Sequence, residues 1–409
     1  MMHRRSFLHT SSLLALGASV PEFLARTARA AEVAKEKVLV VLELTGGNDG
    51  LNTVIPYGDD LYHKNRPTLR FKKDRVLKID DHIGLHPSLN GLHQLHEKGE
   101  LAIVQGVGYP NPDRSHFESM DIWQSADPTR RTTVGWVARS TPLLPVGKGV
   151  PAMFLGKDKL PLALQGASAG VLGIEKPQEF DLQLAGSEER KKARRRLIED
   201  ISKGPAEEDD LTAFVRRRQL QSFASVDTIR QAIANSTKDS AGTVQVNDAR
   251  ELNEKLDLIA TLIRADFGTR VYYVALDGFD THSGQAEPHA RLLGQVGNSL
   301  NNFFERLREG DHAKRVLAMT YSEFGRRVKE NGSRGTDHGA GSCLFVAGQG
   351  VKGGVINPHP RLDELDGGDL KYSIDFRRVY AALLDGWLGV DSKTVLGSKY
   401  EKVEFLKSV

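Results

Sequence analysis

The chain has 409 residues, of which 39% are hydrophobic and 27% are charged, a composition typical of a globular protein with a large core. Its 56 basic and 53 acidic residues leave a formal net charge of +3. A nearly neutral protein without a long basic block is a poor candidate for nucleic-acid binding. The single cysteine, Cys343, excludes an internal disulfide.

The first thirty residues are predicted to be an export signal. Residues 4–8 read RRSFL, a twin-arginine pattern, and a modest apolar run follows over residues 11–20. This run is too short for a stable membrane anchor, and residues 28–30 are typical of a cleavage site. We therefore expect the twin-arginine export machinery to deliver a domain of residues 31–409 to the periplasm or cell envelope.

The first strand of that domain is predicted over residues 37–44, which are rich in valine and leucine. The glycine-rich loop that follows carries Asp49 and either brings backbone N–H groups close to an anion or forms a plain tight turn. Residues 87–99 predict a short helix and residues 101–107 a second strand, which together form a βαβ unit.

Ser115 is the candidate nucleophile. Two prolines keep the chain out of a helix until Asp113 or Ser115, either of which can cap the helix that begins at His116. A serine at a helix N-terminus lies where free N–H groups favour a phosphate or alkoxide, and a nearby metal would activate its Oγ. His116 and Arg114, on either side of Ser115, are further catalytic candidates. Local sequence equally allows a plain cap with His116 merely packed. Arg114 or Arg326 could neutralise a developing negative charge.

The middle of the chain has a different character. Residues 129–175 are rich in glycine and proline and predict short strands and loops. They include Ser168 in a Gly-x-Ser-x-Gly pattern typical of serine hydrolases, although no helix is predicted after it. A serine esterase is therefore one functional hypothesis for this chain. Residues 186–266 are charged, with leucines at helical spacing, and predict a helical insertion.

The run over residues 271–282, VYYVALDGFDTH, predicts a buried strand followed by Asp277, Asp280 and His282. In open α/β sheets, ligands bind at the carboxyl ends of the strands. Residues 286–308 predict a long helix after this strand.

A third strand, predicted over residues 315–321, is followed by Glu323 and then by Asp337 and His338 in a glycine-rich loop. Carboxylates and neutral imidazoles together suit zinc, manganese or iron, whereas carboxylates alone suit magnesium or calcium. We therefore expect one or two divalent metal ions at one sheet edge. Residues 342–347 predict a further strand and residues 376–388 a closing helix.

Several of these segments together resemble a known family. They are the twin-arginine leader and the motifs GGNDGLNT, RSHFESMD, LDGFDTHSGQ, SEFGRR and GTDHGAG. In this combination and order the chain resembles exported bacterial proteins of domain of unknown function 1501, a family placed in the alkaline phosphatase-like superfamily. The resemblance implies a doubly wound, mostly parallel α/β sheet of the alkaline phosphatase-like type, with two metals at its carboxyl edge.

The resemblance also implies roles for individual residues. Ser115 would be the nucleophile, one metal half-site would hold Asp277 or Asp280 with His282 and His338, and the other would hold Asp49 and Glu323. Phe324 stands where the superfamily has a histidine ligand, and Asp337 is the candidate that replaces it. We therefore expect an exported metal-dependent hydrolase of small-molecule or polysaccharide phosphate or sulfate esters. The alternative is a catalytically silent envelope or polysaccharide-binding protein.

Overall fold

The computed structural model describes residues 37–145, 150–156, 159–166, 170–174 and 249–407. The predicted export signal, Ser168 and most of the predicted helical insertion lie outside the described residues. Among the described helices, none combines the length and the apolar character needed to cross a membrane.

Twelve strands are described, and nine of them form one sheet. Their bounds are β1 Val38–Leu44, β2 Val54–Ile55, β3 Leu77–Lys78, β4 Gly84–Leu85, β5 Leu101–Gly108, β6 Ala152–Leu155, β7 Val171–Ile174, β8 Val271–Leu276, β9 Val316–Tyr321, β10 Ser342–Ala347, β11 Gly354–Ile356 and β12 Ile374–Asp375. The order in the main sheet is β11-β5-β10-β9-β1-β8-β6-β7, with β12 paired to β5, and β2, β4 and β3 form a small second sheet.

The main sheet is mostly parallel. Among its described strands only β10 runs against its neighbours, β9 and β5. β1 lies between β8 and β9, with Leu44 opposite Leu276 and Glu43 opposite Tyr321. The three strands predicted to deliver metal ligands are therefore adjacent, and their carboxyl ends lie side by side. The predicted α/β class with a mostly parallel sheet is confirmed.

Nine α-helices are described. They are α1 Gly50–Thr53, α2 Asp60–Asn65, α3 Asn90–Glu97, α4 His116–Ser125, α5 Trp136–Ser140, α6 Ala249–Arg264, α7 Ala286–Arg308, α8 Phe376–Leu383 and α9 Ser392–Leu396. Alternate residues of β1 enter two separate cores, because successive side chains of a strand point to opposite faces. Val40 and Leu42 pack with residues of α3, α6 and α7, whereas Leu39 and Val41 pack with residues of α4, α5 and α8.

Some element boundaries differ from the prediction. The closing helix is α-helical only over Phe376–Leu383 and continues as a π-helical turn over Leu384–Leu388, ending at Gly389 with φ +70°. The small antiparallel sheet of β2, β3 and β4 was not predicted, because two-residue strands are too short to show alternation.

Helices α3 and α7 are in close backbone contact where Gly91 of α3 meets Gly297 of α7. A Cβ at Gly91 would lie 2.1 Å from the carbonyl oxygen of Gly297, so Gly91→Ala should separate the helices and destabilise the fold by about 1–3 kcal/mol. A Cβ at Gly294, also on α7, would meet nothing closer than 3.8 Å, so Gly294→Ala should stabilise the fold by up to about 1 kcal/mol. Urea unfolding measures both changes, and effects of the same sign would contradict this close contact.

Candidate metal centre

One carboxylate oxygen lies at the centre of the candidate site. Asp280 follows β8, and its Oδ1 lies 3.1 Å from Nε2 of His282, 3.3 Å from Nε2 of His338 and 3.4 Å from Nε2 of His116. His282 belongs to the same loop, His116 begins α4 after β5, and His338 lies in the loop after β9. We call these four residues the Asp280 cluster. Parallel strands bring it together at their carboxyl edge.

In each imidazole of the cluster, Nδ1 donates a hydrogen bond to an oxygen atom of the protein. His338 donates from Nδ1 to the carbonyl oxygen of Arg114 at 2.7 Å, His116 to Oε1 of Glu323 at 2.7 Å, and His282 to Oδ1 of Asp337 at 3.3 Å. A neutral imidazole that donates from Nδ1 carries its lone pair on Nε2. Metal-binding histidines are oriented in this way by an oxygen acceptor behind the ring.

The facing Nε2 atoms favour a bound cation. Nε2 of His282 and Nε2 of His338 are only 2.9 Å apart, so two lone pairs would repel unless a proton or cation lay between them. Nε2 of His116 is buried and has no hydrogen-bond partner within the described part of the chain. Ligand atoms of His116, Asp280 and His338 all lie within 4.8 Å of one another. The carboxylate of Asp280 and the imidazoles of His116 and His338, with His282 beside them, fit zinc, manganese or iron.

The pKa shifts of Asp280 and His338 agree with that ligand set, whereas that of His116 favours a proton that a metal ion would have to displace. Burial alone would raise the pKa of Asp280, but the Arg326 guanidinium, whose Nη2 donates to Oδ1 at 2.6 Å, holds it below its usual value. Burial lowers the pKa of His338. The hydrogen bond to Glu323 raises the pKa of His116. An ionised carboxylate and a neutral imidazole are the states that metal binding requires.

The glycine-rich loop after β1 supports the cluster. Gly46 has φ +116°, and a Cβ there would lie 2.4 Å from the backbone nitrogen of Asp280. Its N–H donates to Oε1 of Glu323 at 2.8 Å, and Arg326 donates from Nε to the carbonyl oxygen of Gly47 at 2.6 Å. Of the two roles predicted for this loop, the structure therefore favours the tight turn, because the Gly46 N–H is already used by the Glu323 carboxylate.

Ser115 precedes the first residue of α4, next to the cluster ligand His116. The Asp113 carboxylate accepts a hydrogen bond from the Ser115 backbone nitrogen at 2.8 Å. The Ser115 hydroxyl makes no capping bond to the helix, and no hydrogen bond of its Oγ is found within the described residues. Ser115 is half-buried, and its hydroxyl has no protein partner among the described residues.

Four predicted ligands lie outside the Asp280 cluster. Glu323 and Asp337 bind its histidines, whereas Asp49 and Asp277 have other partners. Asp49 is fully buried, and Arg66 binds both of its carboxylate oxygens at 2.5 and 3.0 Å, with Gln285 also donating to Oδ2. Asp277 is exposed, and its carboxylate accepts the N–H of Gly278 at 2.7 Å. The structure does not bring Asp49 and Glu323 together as a second half-site, because their oxygens are engaged by different partners.

The predicted arginines are also engaged by protein groups. Arg114 donates to Oδ2 of the buried Asp369 at 2.9 Å from Nε and 2.5 Å from Nη2. Arg326 is buried and binds Asp280 and several carbonyl oxygens. Arg326 therefore holds the site together from within the protein, whereas Arg114 pairs with Asp369 while its side chain stays 44% exposed. The roles of Arg66 and Asp369 were not predicted. Arg66 pairs with Asp49, 17 residues away, and Asp369 pairs with Arg114, 255 residues away, and no local motif marks such pairs.

Two buried histidines lie near the loop after β1. Nε2 of His289 bonds to Oδ1 of Asn48 at 3.0 Å, so His289 is neither exposed nor part of the cluster. The ring of His86 packs edge-on against His289. Burial lowers the pKa of His289 to about 4 and that of His86 to about 3.

These lowered pKa values predict acid sensitivity. The unfolded chain binds protons at these imidazoles below about pH 6.5 while the folded chain does not, so stability falls as the pH drops toward 4. For His289 the loss should reach about 3 kcal/mol. Urea unfolding at pH 7.5 and 4.5 measures it. His289→Gln should show a shallower pH dependence than the unchanged chain, and identical slopes would contradict the prediction.

The model of a family described as "Protein of unknown function (DUF1501)" matches residues 36–398. A search of curated proteins finds no match to the chain.

Solved structures similar to this chain include three bacterial examples. The PsFucS1 sulfatase from Pseudoalteromonas sp. has 11% identity and a TM-score of 0.38, with 93% of this chain and 79% of that chain covered. The lipoteichoic acid synthase LtaP from Listeria monocytogenes has 9% identity and a TM-score of 0.38, with coverages of 91% and 77%. The C-terminal periplasmic domain of EcEptC from Escherichia coli, in complex with Zn, has 8% identity and a TM-score of 0.33, with coverages of 77% and 74%. At these TM-scores the similarities carry no argument about the chemistry of this chain.

Proposed function

The chain belongs to the DUF1501 family, and we propose that it is a metal-dependent hydrolase of phosphate or sulfate esters. One observation carries the proposal. Three imidazole Nε2 atoms converge within 3.4 Å of one carboxylate oxygen at the carboxyl edge of the sheet. The free hydroxyl of Ser115 precedes one of those histidines in the chain. This combination would supply both a cation site and a nucleophile.

The Asp280 cluster would hold one divalent ion, with zinc, manganese or iron preferred over magnesium or calcium. A bound ion would supply Lewis-acid polarisation of the ester and would lower the pKa of a bound hydroxyl. Glu323, Asp337 and the Arg114 carbonyl keep the three imidazoles turned inward. The side chain of Asp280 is about half exposed, so the cluster is open to a substrate.

Ser115 would act as the nucleophile. Its Oγ forms a bond to phosphorus or sulfur as the bond from that atom to the alcohol oxygen of the substrate breaks, and the serine proton passes to the departing alkoxide. Water then hydrolyses the serine ester and releases phosphate or sulfate. The first turn of α4 has backbone N–H groups without helical partners, which would stabilise the negative oxygens during both steps.

We also propose that the chain is exported from the cytoplasm. The twin-arginine pattern of residues 4–8 supports delivery by the twin-arginine machinery to the periplasm or cell envelope. Replacing Arg4 and Arg5 together by lysine should leave the chain in the cytoplasmic fraction. Unchanged export of that variant would refute this part of the proposal.

Metal analysis paired with turnover tests the hydrolase directly. The metal-loaded chain should hydrolyse p-nitrophenyl phosphate or p-nitrophenyl sulfate, and Ser115→Ala should lower kcat at least about a hundredfold while the metal stays bound. Ser88→Ala, remote from the cluster, is the matched control and should retain activity. A metal-loaded chain inert toward both esters would refute the hydrolase and favour a catalytically silent envelope or polysaccharide-binding protein.

A further inference from the structure

A cavity of about 560 Å³ lies at the same edge of the sheet, beside the loop after β8 that also carries Asp280. Its lining includes the carboxyl ends of β6 and β8 and side chains from α6 and α7. Asp277 lines the cavity, and Asp280 follows three residues later. Thr45 also lines it, and the N–H of the next residue, Gly46, supports Glu323. The volume is within the range of small-molecule sites, about 300–1,000 Å³.

A buried carboxyl group forms one polar wall of the cavity. Glu43 accepts hydrogen bonds from Tyr321 Oη at 2.6 Å, Gln124 Nε2 at 2.7 Å and Thr45 Oγ1 at 3.1 Å, and also from Tyr273. All of these partners are neutral, and burial raises the pKa of Glu43. A carboxyl group among hydroxyls and an amide is suited to exchanging hydrogen bonds with a hydroxylated ligand rather than to binding a cation.

The opposite wall contains an unsatisfied amide. Gln295 of α7 is 6% exposed and lines the cavity, and its Oε1 has no hydrogen-bond donor within the described residues. Buried side-chain oxygens in native proteins rarely lack a donor. A ligand hydroxyl in the cavity would supply it.

The cavity is lined by the cations of Lys159, Lys255 and Arg291 and also by the carboxylates of Glu251 and Asp277. Lys159 and Arg291 line it, and neither forms an ion pair within the part of the chain that the structure describes. Lys255 is different because it pairs with Glu251 at 3.0 Å. Phe154 and Leu292 provide apolar wall area. The lining as a whole therefore combines hydroxyl recognition, apolar contact and attraction for an anion.

We propose that this cavity binds an acidic sugar, meaning a sugar that carries a carboxylate, sulfate or phosphate group, as the part of the substrate next to the cleaved ester. Arg291 and Lys159 pair with the acidic group, and Gln295 Oε1 accepts a hydrogen bond from a sugar hydroxyl. The role as a substrate subsite rests on the proposed hydrolase function. Binding of the sugar itself does not require turnover.

Calorimetric titration of the purified chain with glucuronate and glucose 6-sulfate tests the proposal, with glucose and inorganic sulfate as comparison ligands. The acidic sugars should bind at least tenfold more tightly than glucose. Arg291→Gln should weaken them at least tenfold, whereas Arg306→Gln should change nothing, because Arg306 lies on the same helix but pairs with Asp257 at 2.8 Å. Gln295→Leu keeps the side-chain volume and should also weaken binding, with thermal unfolding as the check on folding.

Other outcomes would overturn the proposal. These are no binding of either acidic sugar, inorganic sulfate binding as tightly as glucose 6-sulfate, or equal effects of Arg291→Gln and Arg306→Gln. Asp280→Asn separates this proposal from the hydrolase. The variant should lose metal and turnover yet still bind acidic sugars, and loss of sugar binding would contradict assignment to this cavity. Sugar binding by a chain that hydrolyses no ester would refute only the hydrolase.

Discussion

Replacing Asp280 by asparagine should lower the affinity for divalent metal by more than about a hundredfold. Replacing a residue that only hydrogen-bonds to a metal ligand typically lowers the affinity by about 10- to 100-fold, and loss of a ligand should cost more. Asp280 Oδ1 is the anionic atom shared by the three inward-facing imidazoles. An asparagine of the same size removes that charge and leaves Arg326 close to the imidazoles without its carboxylate partner. Zinc content after dialysis and calorimetric titration with zinc measure the change.

Asp277→Asn is the matched control for this prediction. Asp277 lies on the same loop and is exposed, and its carboxylate bonds to the neighbouring Gly278 rather than to the cluster. Its replacement should leave zinc affinity unchanged. Equal losses in both variants would mean that disturbance of the loop, not removal of a ligand, explains the result.

Arg66→Met should destabilise the fold by about 3–5 kcal/mol, because it leaves the Asp49 carboxylate buried without its partner. Both side chains of this ion pair are fully buried. Arg66 also donates to the carbonyl oxygens of Arg327 and Val328 at 2.8 and 2.7 Å, so it ties the end of α2 to the loop after β9. Chemical unfolding in guanidinium chloride measures the loss.

Arg70→Met provides the comparison, since Arg70 is exposed and its side chain donates only to the carbonyl oxygen of His63 within the described residues. Its replacement should change stability by no more than about 0.5 kcal/mol. Asp49→Asn separates the two roles considered for Asp49. The ion pair predicts a large loss of stability with zinc still bound to the folded fraction. Loss of zinc at unchanged stability would identify Asp49 as a ligand instead.

The sequence predicted the parallel part of the fold because buried parallel strands read as continuous apolar runs. The strands after which Asp49, Asp280 and Glu323 appear are adjacent in the sheet, as a shared ligand edge required. The direction of β10 could not be predicted, since an antiparallel strand buried on both faces has the same apolar pattern as its parallel neighbours. Strand pairing depends on residues that are distant in the sequence, so the residues of one strand do not determine its direction.

The site was only partly predictable for a related reason. Asp280, His282 and His338 were predicted as ligands from residue type and position after strands, and the structure brings them together. His116 was considered for catalysis or packing, and its Nε2 joins the same cluster. Asp49 has the same residue type and position as a ligand, but its surroundings depend on Arg66, which no strand or motif marks.

Anomalous diffraction at the zinc absorption edge, from crystals grown with zinc, tests the central claim most directly. A peak within coordination distance of Asp280 Oδ1 and of Nε2 of His116, His282 and His338 is the predicted result. A zinc-loaded crystal with no peak at these four side chains, or with its protein-bound zinc at Asp49 and Glu323 instead, would contradict the account.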